Sequence, residues 1–265
     1  MAEPNTERAI PEKGGDGARN LNFHVAEAYK MIRTNLLFTL ANTDSHVVVF
    51  SSAEPSAGKS TLCSNLAIVM AQTGARVLLI DADMRKPVQH RNFRRSKTYG
   101  LSRILGGLNS VEECIQQNVL PNLDLITSGP LPPNPSELLG TERMKTLLGE
   151  MASRYDYVFL DMPPMCVVAD ALVVAPYSAG VVLVARQRQT TYGEVQECLE
   201  RVEQIGAKTL GVVITDVNID NVGYYARFGH YGRYTRYGRY GKRYYYRKEG
   251  YRYAARETER PSDHD

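Results

Sequence analysis

An α/β domain with a mostly parallel sheet and helices on both faces is the fold that this sequence of 265 residues predicts. Three observations predict it. Short, almost wholly apolar strand-like segments alternate with helical stretches, as they do when both faces of a parallel sheet are covered. Hydrophobic residues make up 43% of the chain and charged residues 23%, enough apolar material for one substantial core. The length suits one sizeable domain with long termini. The composition divides accordingly into an arm at 1–20, a domain at 21–220 and a tail at 221–265.

The arm (MAEPNTERAIPEKGGDGARN) is polar and rich in Gly and Pro, so it predicts disorder, and it lacks the apolar stretch of a secretory signal. Residues 25–40 (VAEAYKMIRTNLLFTL) place apolar side chains at helical spacing. Val47, Val48 and Val49 start the first strand, residues 51–58 form a loop, and a helix runs to about Gln72. A second strand at 77–80 leads into a loop with two aspartates, short helices and a strand at 123–126. After the Pro-rich PLPPNP, one helical stretch is expected over about 136–153. Strands at 157–160 and 180–185, a helix at 192–205 and a last strand at 209–214 close the domain. No window approaches the roughly 18 apolar residues that would cross a bilayer. The four cysteines, Cys63, Cys114, Cys166 and Cys198, form no C-x-x-C pair. They fit buried thiols in a reducing compartment better than a disulfide or zinc framework. Ligands of such sheets bind beyond the carboxyl ends of the strands, so chemistry is expected there.

Residues 53–60 read AEPSAGKS and fit the pattern [AG]-x-x-x-x-G-K-[ST], with Ala53 in place of the first glycine. Between a strand and a helix, such a loop wraps phosphates with backbone N–H groups at a helix N-terminus. The binding set is Ala53, Glu54, Pro55, Ser56, Ala57, Gly58, Lys59, Ser60 and Thr61, the last placed to bond a phosphate further back. Lys59 would reach the β- and γ-phosphates and Ser60 would ligate magnesium, so ATP and Mg²⁺ are the expected cofactors. LLIDADMR supplies Asp81 and Asp83 at the end of one apolar strand, and VFLDMPP supplies Asp161 at the end of another. Carboxylates there can bind Mg²⁺, and one can take a proton from an attacking hydroxyl. An isolated D-x-D is ordinarily a surface loop. Three aspartates after apolar strands, in a chain with a phosphate loop, point instead to one site.

These motifs occur with EAYKMIRTN before the first strand, GLSRIL from Gly100, PNPSELL from Pro133 and a tyrosine-rich tail. Together they resemble the bacterial tyrosine kinases of capsule and exopolysaccharide assembly, over nearly everything from about residue 24 to 253. The resemblance implies a P-loop NTPase fold of the partition-ATPase type. It also implies an ATP-dependent tyrosine kinase that autophosphorylates between subunits and regulates polysaccharide polymerisation and export. By that analogy Asp81 is the base, acting with Lys59, while Asp83 and Asp161 join Ser60 at the magnesium; exchange of the roles of Asp81 and Asp83 stays open. Arg85, always charged and so no base, shapes the catalytic loop or an interface.

The family's oligomer-interface motif, E-x-x-R-x-x-R, reads here as Glu27, Lys30 and Arg33. Lysine cannot form arginine's carboxylate fork, and by spacing alone the three suit an ion pair on a solvated helix face. The family often has glycine after the loop proline, where this chain has Ser56. Partitioning ATPases of the same fold resemble K-G-G-x-G-K-[ST], whose first lysine enters the neighbouring subunit's nucleotide site. Five residues before Lys59 this chain has Glu54, an acid. Members without a membrane span resemble half of a two-chain system. The resemblance therefore implies a separate membrane-anchored activator, a polysaccharide co-polymerase, whose cytoplasmic tail recruits a cytoplasmic kinase to the inner face of the membrane. A homo-oligomer, with a ring as one form, and a cognate tyrosine phosphatase complete the implied partners.

The tail carries the sequence's strongest bias. Residues 223–253 contain no Leu, Ile or Val and cannot build a core, so disorder is expected. From Tyr224 to Tyr253 nine Lys or Arg residues face one acid, Glu249, and the net charge of +3 comes from this stretch. The same stretch holds eleven of the seventeen tyrosines: Tyr224, Tyr225, Tyr231, Tyr234, Tyr237, Tyr240, Tyr244, Tyr245, Tyr246, Tyr251 and Tyr253. Arg/Tyr repeats suit single-stranded nucleic acid, basic patches suit anionic lipid, and tyrosines suit a kinase. Attached to an ATP site, the tyrosines read as phospho-acceptors, and no nucleic acid is expected.

Overall fold

The computed structural model describes residues 23–217; the arm at 1–20 and the tail with its eleven tyrosines lie outside the described residues. Helix α1 (Phe23–Leu40) precedes β1 (Val47–Ser52), α2 (Lys59–Ala71) and β2 (Val77–Asp81). Three short helices follow, α3 (Gln89–Asn92), α4 (Leu101–Leu105) and α5 (Val111–Cys114), then β3 (Ile115–Leu120) and β4 (Leu123–Ile126). Next come α6 (Pro135–Leu139), α7 (Glu142–Arg154), β5 (Tyr157–Asp161) and α8 (Asp170–Val174), which runs into a 3-10 turn. The remaining elements are β6 (Gly180–Arg186), α9 (Tyr192–Gln204) and β7 (Thr209–Thr215).

The seven strands form one sheet in the order β3-β4-β2-β5-β1-β6-β7. Every pairing is parallel except β3 with β4. All residues of β1 and β2 are buried, which explains why these segments show an apolar run instead of alternation. The alternation is still present in what each residue touches. Val48 and Phe50 face a core with Leu36, Leu40 and Leu66 of α1 and α2, while Val47 and Val49 face the core containing Leu147 and Met151 of α7. Phe50 meets Phe159 edge-on at 5.0 Å between ring centroids.

Register places the site. Phe50 of β1 pairs with Asp161 of β5, and Asp81 of β2 also pairs with Asp161. The carboxyl ends of the three central strands thus finish side by side, with the phosphate loop leaving from one of them.

Three expectations need correction. The stretch over 136–153 is two helices, because Thr141 is extended (φ −77°, ψ 155°) and its hydroxyl bonds the Leu138 carbonyl. Gly140 turns there against α8, where an added Cβ would sit 3.2 Å from Val173. The antiparallel edge strand β3 was not foreseen: its IQQNVL is half polar, as an edge exposed on one side permits. Helix α8, five residues long, was also unforeseen. In addition, Ser51 and Ser52 belong to β1 and not to the loop.

Candidate active site

The phosphate loop joins β1 to α2. Ser56 (φ 65°) and Gly58 (φ 90°) make the turns, and a Cβ at Gly58 would be strained by conformation as well as pressed to 3.4 Å from Thr215. Backbone carbonyls of the loop are held from β6, β7 and the turn that follows β6. Thr215 Oγ1 donates to the Ala57 carbonyl at 2.7 Å, Arg186 Nη1 to Ser56 at 3.3 Å, and Gln189 Nε2 to Pro55 at 3.2 Å. Thr190 Oγ1 donates to Glu54 Oε1 at 3.0 Å. Gly58 is the N-cap of α2, and no side chain caps that terminus. Its first-turn N–H groups are therefore free of side-chain partners, which is what a polyphosphate requires.

On the acidic side, Lys59 Nζ lies 2.8 Å from Asp83 Oδ2, 3.2 Å from Asp161 Oδ1 and 3.2 Å from Ser60 Oγ. Burial works against its charge, but Asp161 and Asp83 outweigh burial and hold the ammonium above its ordinary pKa. Asp83 Oδ1 accepts from the Lys86 N–H. Asp81 is fully buried. Its Oδ2 accepts from the Val88 and Gln89 N–H groups at 3.1 and 2.9 Å, and its Oδ1 has no partner. Burial first, and then the charge of Asp161, push the Asp81 carboxyl well above the usual carboxylate range. Asp83 and Asp161 thus meet Lys59 of the phosphate loop, and Asp81 pairs beside Asp161 in the sheet.

These groups fit the expected cofactors. An all-oxygen set of Ser60, Asp83 and Asp161, already gathered around the cation of Lys59, suits a hard cation such as Mg²⁺. No group of three or more His, Cys, Asp or Glu among the described residues is arranged to hold a metal alone. Mg²⁺ ordinarily keeps several waters and binds through one or two carboxylates plus substrate phosphates. The uncapped N-terminus of α2 fits the phosphates themselves.

Arg85 points elsewhere. Its Nε and Nη2 fork onto Asp170 at 2.9 and 3.1 Å, and Nη2 also reaches Ser136 Oγ at 3.0 Å. It shapes the loop by tying it to α6 and α8. Glu27 and Lys30 form an exposed i,i+3 ion pair of 2.7 Å, and Arg33 donates to the Val69 carbonyl of α2 at 3.3 Å. Thr61 is exposed at the first turn of α2.

Gln89 and Asp170 were missed by the sequence reading. Gln89 Nε2 donates to Asp161 Oδ2 at 2.8 Å and to the Ser60 carbonyl at 3.1 Å, joining the phosphate loop to the second acidic strand end. Asn92 in turn donates to Gln89 Oε1 at 3.0 Å. No fixed spacing marks either residue, since Gln89 and Asp161 are 72 positions apart and Arg85 and Asp170 are 85 apart. For Asp170 the signal lay in its burial at the start of a short helix, which the sequence did not disclose.

Residues 45–212 match the family model described as an AAA domain. The chain is 39% identical over 205 residues to the tyrosine-protein kinase wzc of Salmonella typhimurium, an alignment covering 77% of this chain and 28% of that protein. It is 39% identical over 204 residues to the tyrosine-protein kinase YwqD of Bacillus subtilis, covering 77% of this chain and 86% of that protein. The chain therefore spans little more than a quarter of the former and most of the latter. The kinase domain of the Escherichia coli tyrosine kinase ETK superposes with a TM-score of 0.70 at 34% identity, over 79% of this chain and 90% of that one.

Proposed function

The chain belongs to the family of bacterial tyrosine kinases, and we propose that it transfers the γ-phosphoryl group of ATP to the tyrosines of its own tail, between subunits. The observation that carries this reading is the convergence of Asp83 and Asp161 on Lys59 at the first turn of α2, with Asp81 paired beside Asp161 in the sheet. A tyrosine hydroxyl, with a pKa of about 10, is a poor nucleophile at neutral pH. Transfer therefore needs positioning, charge neutralisation and a base.

Asp81 supplies the base. Its Oδ1 has no hydrogen-bond partner among the described residues and keeps lone pairs for the tyrosine proton. Lys59 leaves its carboxylate partners for the β- and γ-phosphates, and the first-turn N–H groups of α2 hold the phosphate oxygens. Ser60, Asp83 and Asp161 would hold Mg²⁺, which would supply charge neutralisation at the transferring group. Gln89 fixes Asp161, and Arg85 fixes the loop that carries Asp83. Glu54, bonded to Thr190, occupies the position where a partition ATPase would present its lysine, which favours the kinase reading.

The acceptors are the tyrosines of 224–253. A separate membrane-anchored activator recruits the cytoplasmic kinase. Its oligomer uses the face bearing Glu27, Lys30 and Arg33, a phosphatase resets it, and the cycle regulates capsule or exopolysaccharide export. Incubation with labelled ATP and Mg²⁺ tests the reading. Phosphotyrosine on the wild-type chain and none on Lys59→Met is expected; ATP hydrolysis without phosphotyrosine would sink it.

A further inference from the structure

Away from the phosphate pocket, the fold brings together two thiols that the sequence keeps apart. Cys166 and Cys198 are 32 positions apart, yet their Sγ atoms lie 2.9 Å from each other, both as free thiols. Cys166 is half-buried in the segment that leaves Asp161, and Cys198 is buried in α9. A second contact clasps the same two elements: Arg201 of α9 donates Nη1 to the Met165 carbonyl at 2.9 Å. The Met165 N–H is itself held by the Ser52 carbonyl at 2.8 Å, at the end of β1. The backbone next to Cys166 is therefore held from both sides, which keeps the two cysteine backbones at a distance their sulfurs can span.

We propose that Cys166 and Cys198 are a modification site, a dithiol that a hydroperoxide oxidises to an intramolecular disulfide linking the segment after Asp161 to α9. A disulfide bond is about 2.05 Å long, so closure from 2.9 Å asks for a small approach only. Cys166 is the partly exposed sulfur and attacks first. Its thiolate takes one oxygen as the O–O bond breaks, giving a sulfenic acid, and hydrogen peroxide leaves one water. The Cys198 sulfur then displaces the hydroxyl, which departs as a second water carrying the Cys198 proton. Two thiols lose two electrons and two protons, and the peroxide is reduced to two waters. A dithiol reverses the bond by exchange.

Burial, and then Cys166, push the Cys198 thiol well up, so it serves as the resolving sulfur. Cys63 and Cys114 are buried, with burial raising both thiols, and take no part. The site does not depend on phosphoryl transfer and stands or falls separately from it.

The test uses the full reduced chain, treated with hydrogen peroxide, denatured, alkylated and digested without reductant. The expected result is loss of two of the four alkylatable thiols, a peptide pair linked through Cys166 and Cys198, and full recovery with a dithiol. A melting temperature higher in the oxidised than in the reduced protein is expected as well, with no such rise in Cys166→Ser. The mapping on the wild-type chain needs no variant, so a misfolded Cys166→Ser leaves the question decidable. Four thiols still alkylated, a sulfinic acid on Cys166 without a linked peptide, or disulfides between chains would each overturn the proposal.

Discussion

At the scale of single residues, the pocket holds its charges in an arrangement that separates structure from chemistry. Asp81 is the sharpest case. It is buried with one oxygen bonded to backbone and the other free, and burial disfavours its charged form. Asp81→Asn keeps the acceptor for Val88 and Gln89 while removing that charge. The expected outcome is a melting temperature at neutral pH no lower than the wild type's, with phosphotyrosine formation nearly abolished and nucleotide binding retained. Calorimetry and a phosphotyrosine assay on the same preparation check it; normal phosphorylation would remove Asp81 as the base.

Gln89 makes a different demand. Its amide orients Asp161 toward the pocket, and partners behind a metal ligand typically contribute a factor of about 10–100 in metal affinity or activity. Gln89→Leu is expected to raise the Mg²⁺ concentration for half-maximal activity about tenfold, with a smaller change in the KM for ATP. A magnesium titration at saturating ATP reads this directly. Asp81, Asp83, Lys59 and Asp161 were legible in the sequence because each follows an apolar strand or opens a helix. Gln89 and Asp170 were not, because only the tertiary fold brings them to their partners across 72 and 85 positions.

At the scale of elements, short pieces that contribute apolar residues to the core are also joined to one another by specific polar contacts. Arg85 couples the loop after β2 to α6 and α8 through Ser136 and Asp170. Asp170 is fully buried, so its carboxylate depends on that fork. Arg85→Lys keeps a cation but loses the two-pronged geometry. It is expected to cost about 1–3 kcal/mol of stability, seen as a lower denaturant midpoint, while ATP binding survives. An unchanged midpoint would mean that the fork contributes nothing net. The long elements were legible: α1, α2, α9 and six of the seven strands stand where apolar runs and helical spacing placed them. The misses share a cause. The break at Thr141 and helix α8 are set by packing against one another, where Gly140 meets Val173. The edge strand β3 is half polar and its antiparallel pairing shifts register between Gln116 and Leu120, so it carries no apolar run.

At the scale of the whole molecule, charge links modification to assembly. Residues 224–253 carry nine positive charges and one negative, and each phosphate adds about −1.5 to −2 at neutral pH. Roughly four or five phosphates therefore cancel the tail's charge, and further ones reverse it. Under the proposed function, an unmodified tail would be attracted to a neighbour's aspartates Asp81, Asp83 and Asp161, and a heavily modified one would be repelled. The exposed ion pair of Glu27 and Lys30 is individually weak, so the tail can decide the balance. The Lys59→Met chain is expected to assemble and the fully phosphorylated chain to dissociate. Mass measurement in solution separates the two, and an oligomer that keeps its size through complete tail phosphorylation would contradict the link.

The central claim, tyrosine phosphorylation in trans by this pocket, meets its most direct test in a mixture of two chains. One is active and ends at Asp220, so it retains the described domain and none of the eleven tail tyrosines. The other is full length with Lys59→Met, so it offers acceptors without a working phosphate loop. With labelled ATP and Mg²⁺, and phosphosites mapped by mass spectrometry, phosphotyrosine is expected on the full-length chain between Tyr224 and Tyr253. Tyr251 and Tyr253, on the longest tether, should be labelled most readily. A full-length chain that stays unlabelled, while wild-type chains alone label themselves, would contradict transfer between subunits.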